Sequence, residues 1–134
     1  KVWSVLVGAN TMKTTSVLHM LGAMSASGAA TMTMRMYTNT SDSLSGATLL
    51  GTYQSTAAFS FIRNLIMNNS ISAQKLLIST TGTSNPTDEG TAKSGVNMIS
   101  TSINFGVAQY IIFSIQVSAN NGLFEMGQVI EHRI

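Results

Sequence analysis

The sequence predicts an all-β protein: one antiparallel β-sandwich of jelly-roll type, built from about eight or nine short strands. Three observations predict this class. Apolar and polar residues alternate over short stretches, those stretches are rich in branched and aromatic residues, and Gly and Asn residues separate them at regular intervals. The sequence has no convincing 3.6-residue apolar period of the kind that would indicate a helix.

Three strands are predicted in the N-terminal third. Residues 1–7 alternate in polarity, and the sequence Gly8-Ala9-Asn10 ends them. Residues 16–26 form the second strand and residues 30–38 the third, with Ser27-Gly28 as the turn between them. The third strand has the clearest period of two in the chain, which is typical of a strand with one face in a core.

Methionines occupy one face of that third strand: Met32, Met34 and Met36. Thioether sulfur can bind soft metals, but methionine far more often fills irregular apolar space, so we predict a packing role. The sequence leaves two kinds of packing open, the core of the sandwich and an interface between subunits.

Six further strands complete the predicted sandwich: residues 47–54, 58–67, 70–80, 96–105, 109–118 and 123–134. The second of these has a helical alternative, because Phe59, Ile62 and Ile66 fit a 3.6-residue period. It lacks a good helix cap at its end, so we predict a strand. Asn120-Asn121-Gly122 predicts a hairpin turn before the last strand. We expect the first and last strands to lie near each other in one sheet.

The composition limits the classes of function. Charged residues make up only 9% of the 134 residues, whereas the chain has 18 Ser, 16 Thr and 10 Asn, so its polar surface is made of neutral groups. The basic residues are dispersed, which argues against a nucleic-acid binder, and no apolar run is long enough for membrane insertion. The absence of cysteine excludes disulfides and thiolate chemistry. We expect one domain, residues 1–134, and because the chain begins with Lys1 rather than Met, we expect it to be part of a longer chain.

The search for catalytic residues predicts a protein that is not an enzyme and that holds no metal or cofactor. His19 lies mid-strand among apolar neighbours, and Glu131 and His132 are adjacent strand residues that point to opposite faces. Neither a nucleophile-elbow sequence nor a phosphate-binding glycine loop occurs. The acidic pair Asp88 and Glu89 lies in a loop, where we expect solvation, or at most a loose cation site.

Two segments resemble bacteriophage virion proteins. Residues 34–53 (MRMYTNTSDSLSGATLLGTY) combine an apolar strand, a turn rich in Ser and Asn, and a short strand that ends in an aromatic residue. Residues 103–134 (INFGVAQYIIFSIQVSANNGLFEMGQVIEHRI) pair two strands and add an Asn-rich hairpin and a last strand. Such stretches are similar to the small domains at the tips of phage tail fibres, tail needles and head fibres, which resemble the trimeric tumour necrosis factor-like jelly roll.

This resemblance implies a non-enzymatic virion domain at the C-terminal tip of a fibre or tail needle. It implies a homotrimer that contacts a host cell-surface glycan or protein and other virion proteins. Two alternatives stay open: a capsid decoration or head-fibre protein without a receptor role, and a carbohydrate-binding accessory module of a secreted enzyme.

Two groups of residues follow from this interpretation. Recognition belongs in the two long polar loops, residues 39–46 and 81–95, since loops vary while sheets hold shape. The candidate receptor contacts in them are Asp42, Asn85, Asp88, Glu89 and Lys93. The candidate residues near the trimer axis are Tyr110, Ile112, Met32, Met34 and Met36.

Overall fold

The computed structural model describes residues 1–26, 31–77, 98–118 and 122–133. These residues form nine β-strands and no helix. The strands are β1 (Trp3–Val7), β2 (Val17–Ala26), β3 (Met32–Asn39), β4 (Thr48–Ser55), β5 (Phe59–Ser70), β6 (Ala73–Leu77), β7 (Met98–Thr101), β8 (Gln109–Val117) and β9 (Gly122–His132). In this part of the chain no helix is long and apolar enough to span a membrane.

The strands form two antiparallel sheets that pack face to face. Sheet 1 has the order β1-β8-β3-β4, and sheet 2 has the order β7-β6-β5-β2-β9. The all-β class and the antiparallel β-sandwich are therefore confirmed. The strand order does not by itself establish the jelly-roll type, which stays a prediction. The predicted turns at Ser27-Gly28 and Asn120-Asn121, and the whole loop 81–95, lie outside the described residues.

The first and last strands do not share a sheet, so that expectation is wrong. β1 pairs with β8 in sheet 1, whereas β9 pairs with β2 in sheet 2. The two strands are instead neighbours across the core, because the Trp3 ring of β1 lies over Gly127 of β9.

The segment with the helical alternative is a strand. β5 pairs with β2 on one side and with β6 on the other, and Phe61, Leu65 and Met67 alternate into the core. Arg63 lies on the same inward face and is 1% exposed. Its guanidinium lies 4.6 Å from the centre of the Phe61 ring, a cation–π contact that stabilises a charge placed among apolar side chains.

The methionine stripe of β3 belongs to the core. Met32, Met34 and Met36 all have 0% exposure within a single chain, and they pack in the apolar cluster between the sheets. The predicted packing role is therefore confirmed, and of the two kinds of packing that the sequence leaves open it is the core of the sandwich. That the three residues lie near a trimer axis stays a prediction.

A pair of glycines sets how closely the two sheets approach. Gly22 of β2 and Gly127 of β9 are register partners in sheet 2. A Cβ atom at Gly127 would lie 2.5 Å from Trp3 Cε3, and one at Gly22 would lie 2.8 Å from Phe113 Cε1. The Trp3 and Phe113 rings, 5.2 Å apart at their centres, pack edge to face in the space that the glycines leave.

We expect Gly127→Ala to destabilise the fold by about 1–3 kcal/mol, because the added methyl overlaps the Trp3 ring in a packed core. At an open strand position the same change would stabilise slightly, since alanine restricts the unfolded chain. Thermal or denaturant unfolding measures the difference. The control is Gln128→Ala at the next, exposed residue; equal stability of the two variants would contradict this account of the glycine pair.

Candidate functional site

A cleft of about 530 Å³ lies at one end of the sandwich. One wall is the end of β3 and the start of β4, and the other is the segment that links β7 to β8. Most of its described lining residues carry a hydroxyl or an amide. We call this site the polar cleft; the residues used below are Thr38, Asn39, Thr48, Ser102, Asn104 and Gln109.

Asn39 fixes the loop that forms the first wall. Its side-chain Nδ2 donates hydrogen bonds to the carbonyl oxygens of Ser43 and Ser45, at 2.8 and 2.9 Å. Gly46 then adopts a φ of 73°, a left-handed conformation that glycine accepts without steric cost. The loop is thereby folded back onto the end of β3, and its polar groups are held at the mouth of the cleft.

Gln109 joins the two walls at the floor. It is 5% exposed, and its Oε1 accepts a hydrogen bond of 3.1 Å from the Thr38 hydroxyl. Its Nε2 donates to the carbonyl oxygen of Asn104 at 2.9 Å. One buried amide therefore satisfies a group from β3 and a group from the β7–β8 segment at once.

Gln74 of β6 holds the second wall from behind. Its Oε1 accepts from the backbone N–H of Ile103 at 2.9 Å and from the Thr101 hydroxyl at 3.1 Å. Its Nε2 donates to the carbonyl oxygen of Ile103 at 2.7 Å. The buried Gln74 amide thus bonds to both backbone groups of Ile103, as a neighbouring strand would. These bonds fix the short irregular segment that follows β7.

The groups left open at the mouth of the cleft are neutral. The hydroxyls of Thr48 and Ser102 are exposed and have no hydrogen-bond partner among the described residues. Asn104 uses its Oδ1 to accept from the Gly106 N–H at 2.8 Å. None of the described lining residues is an acid, a base or an aromatic residue. The arrangement can donate and accept hydrogen bonds to a ligand, but its described part offers no group for proton transfer.

The predicted receptor contacts are only partly described. Asp42 lies in the 39–46 loop, outside the lining of the polar cleft, and forms an exposed ion pair with Lys1. Hydrogen bonds from Lys1 and then Ser4 lower the pKa of the Asp42 carboxyl. The other four candidates, Asn85, Asp88, Glu89 and Lys93, lie outside the described residues, and so does the proposed cation site at Asp88 and Glu89.

Tyr110 and Ile112 lie on the face of β8 that points away from the core, because Ile111 and Phe113 point into it. Ile112 nevertheless has 0% exposure, and its register partners are Tyr37 of β3 and Ser4 of β1, whose hydroxyl hydrogen-bonds Asp42 of the 39–46 loop. Exposed and half-buried apolar side chains surround it. We call this surface the outer apolar face: Val2, Leu6, Tyr37, Leu49, Tyr110 and Ile112.

The two histidines lie on the outer side of sheet 2. The His19 and His132 rings are 6.2 Å apart at their centres, and His19 Nδ1 is 2.7 Å from the Asn64 side-chain oxygen. Glu131 points the other way and accepts a hydrogen bond from the buried Ser16 hydroxyl. The prediction that Glu131 and His132 face opposite sides of the sheet is confirmed.

Glu131 also accepts a hydrogen bond of 3.0 Å from Arg133 Nε, which together with the Ser16 bond lowers the pKa of the Glu131 carboxyl against the opposing effect of burial. This is an ion pair at the strand end.

Within the described ranges, no group of three or more His, Asp or Glu side chains is placed to hold a metal ion. That the chain is not an enzyme stays a prediction.

Sequence reasoning missed Gln74 and Gln109, the two side chains that build the cleft. Each stands in a strand beside apolar residues, in the sequences AQKLL and AQYII. An amide at a position that alternation assigns to the interior must find partners there, and this was the available signal.

Comparison with protein-family models, with curated proteins and with solved structures finds no match to this chain.

We expect Gln109→Leu to destabilise the fold by about 1–3 kcal/mol, because it keeps the side-chain size but leaves the Asn104 carbonyl and the Thr38 hydroxyl without their partner. Amide hydrogen exchange of residues 102–106 should also become faster. The control is Gln116→Leu, an exposed position on the same strand. If both variants unfold at the same denaturant concentration as the unchanged protein, Gln109 does not join the walls.

Proposed function

We propose that the chain is a non-enzymatic virion domain, the trimeric tip of a bacteriophage fibre or tail needle that contacts the host cell surface. The observation that carries this proposal is the polar cleft, a binding surface at one end of a rigid sandwich whose described lining has hydroxyls and amides but no catalytic group. Contact sites on loops that a rigid scaffold positions are the common arrangement for recognition.

The composition supports an adhesive role. A surface built from Ser, Thr and Asn with only 9% charged residues makes contacts that depend little on salt, because ionic screening acts on charges. Such contacts suit a particle that must attach under varied conditions outside a cell.

The outer apolar face supports a homotrimer. Leu6 is 52% exposed and Leu49 is 41% exposed on a sheet face where a solvated domain would carry polar residues. In a cyclic assembly each copy covers such a face on its neighbour, and the ring closes without leaving a free patch. Tyr110 and Ile112 lie within this face, whereas the three methionines of β3 point into the core of the sandwich.

A carbohydrate-binding accessory module is the second candidate, because the polar cleft fits that function equally well. A capsid decoration or head-fibre protein would share the assembly but lack the receptor contact. The oligomeric state distinguishes the accessory module from the virion proteins, and adsorption to cells distinguishes the tip from the decoration protein.

We expect light scattering to report a mass of three chains for the unchanged protein at micromolar concentration. Leu6→Glu should give monomers, because it places a charge in the interface without disturbing the core. The matched control is Leu123→Glu, since Leu123 is 58% exposed on the other sheet. A monomeric unchanged protein would contradict the trimer. Dissociation by Leu123→Glu alone would place the interface on sheet 2.

We expect the labelled trimer to adsorb saturably to some strains of a panel of bacteria. The Leu6→Glu monomer should adsorb more weakly, because three linked sites gain avidity that one site lacks. A trimer that adsorbs to none of the strains contradicts the receptor role and favours the decoration protein. A monomer that binds isolated glycans favours the accessory module.

A further inference from the structure

Cavities in the described part of the chain differ in size and chemistry. The polar cleft, at about 530 Å³, falls within the roughly 300–1,000 Å³ of small-ligand sites. A second cavity of about 250 Å³ beside Arg35 and a third of about 230 Å³ lined by Val5, Leu6 and Val7 are both below that range. Of these cavities, the polar cleft is the one of ligand size.

We infer that the polar cleft binds an uncharged oligosaccharide through Asn39, Thr48, Ser102 and Asn104. This inference rests on the proposed function, because it names the class of molecule that the adhesion site recognises. It also assigns the site to the cleft rather than to the charged residues of the two predicted loops.

The lining chemistry selects the class of ligand. Sugar hydroxyls both donate and accept hydrogen bonds, and so do the open hydroxyls of Thr48 and Ser102. An acidic glycan or a phosphate only accepts, and it would need a cation that the described lining lacks. Lys1, in the neighbouring ion pair, is already matched with Asp42. Lys75 is not a lining residue, but its Nζ donates a hydrogen bond of 2.7 Å to the hydroxyl of Ser100, which is one. An apolar ligand would leave the many polar groups of the cleft without partners.

The side-chain amides of Asn39 and Asn104 differ in which atom is left to bond a ligand. Both Asn39 Nδ2 hydrogens point to loop carbonyls, so its Oδ1 is the atom left to accept from a ligand. Asn104 has the opposite arrangement, because its Oδ1 accepts from Gly106 and Ser72 while its Nδ2 has no partner among the described residues. The cleft thus presents an acceptor on one wall and a donor on the other, with hydroxyls from Thr48 and Ser102.

The internal bonds keep these groups in place before a ligand arrives. Gln109 fixes the distance between the walls, and Gln74 holds Ile103 beneath the second wall. Such preorganisation reduces the ordering cost of binding. Because the described lining offers no aromatic ring for stacking, a single site should bind a monosaccharide with a dissociation constant on the order of millimolar. Several linked sites would then supply the avidity that attachment needs.

The test begins with an array of neutral glycans and their sialylated or uronic acid counterparts, probed with the assembled protein. We expect binding to be confined to one or more neutral glycans and to change little between low and physiological ionic strength. Titration with the best neutral glycan should shift the amide resonances of residues 39, 48, 102 and 104. Binding of acidic glycans only, or of no glycan, would overturn the inference.

A double variant then locates the site. Thr48→Val with Ser102→Ala removes two open hydroxyls at exposed positions and should weaken glycan binding about tenfold or more. Thr56→Val with Ser60→Ala makes the same chemical changes at exposed positions outside the cleft and should leave binding unchanged. Unchanged binding by the cleft variant, with the oligomer intact, would place the site elsewhere.

The outcomes separate this inference from the proposed function. Glycan binding at the cleft without adsorption to any bacterium overturns the virion role and keeps the ligand class. Adsorption that survives the Thr48→Val and Ser102→Ala changes keeps the virion role and overturns the cleft as its site.

Discussion

The glycine pair of sheet 2 is the constraint on which the rest of the structure depends. Gly22 and Gly127 lie side by side, and the missing side chains make room for Trp3 and Phe113 of sheet 1. The β3 methionines pack in the same core cluster as Phe113, and a flexible thioether adapts to irregular gaps beside such a ring. A sandwich with larger residues at the two glycines would have to separate its sheets or displace the aromatic rings.

Strand β8 connects that part of the core to the end of the molecule where the polar cleft lies. Phe113 fills the glycine site, and four residues earlier Gln109 joins the walls of the polar cleft. Because one strand holds both residues, the register that seats the ring also sets the position of the amide. Ile112, on the other side of the same strand, lies at the centre of the outer apolar face. The core, the cleft and the face proposed for assembly therefore share a single element.

The strands were predictable from the sequence because alternation is a local signal. Each of the nine predicted segments contains a strand, and the β3 methionines point inward as their spacing indicates. The pairing of strands is a non-local property that alternation does not reveal. The first and last strands were therefore predicted to share a sheet, whereas they lie in different sheets. The site was harder still. Charged loop residues such as Asp42 were predicted as contacts, whereas the cleft is built by Gln74 and Gln109. The roles of these two amides depend on partners distant in sequence, Ile103 and Thr38.

We propose that copies of the chain meet through the outer apolar face and leave the polar cleft open to a ligand. An experimental structure of the assembled protein would test this arrangement. We expect a threefold axis beside Tyr110 and Leu6, with Thr48 and Ser102 accessible on every copy. An assembly formed through the outer side of β2 and β9, or one in which a neighbouring copy fills the polar cleft, would contradict it.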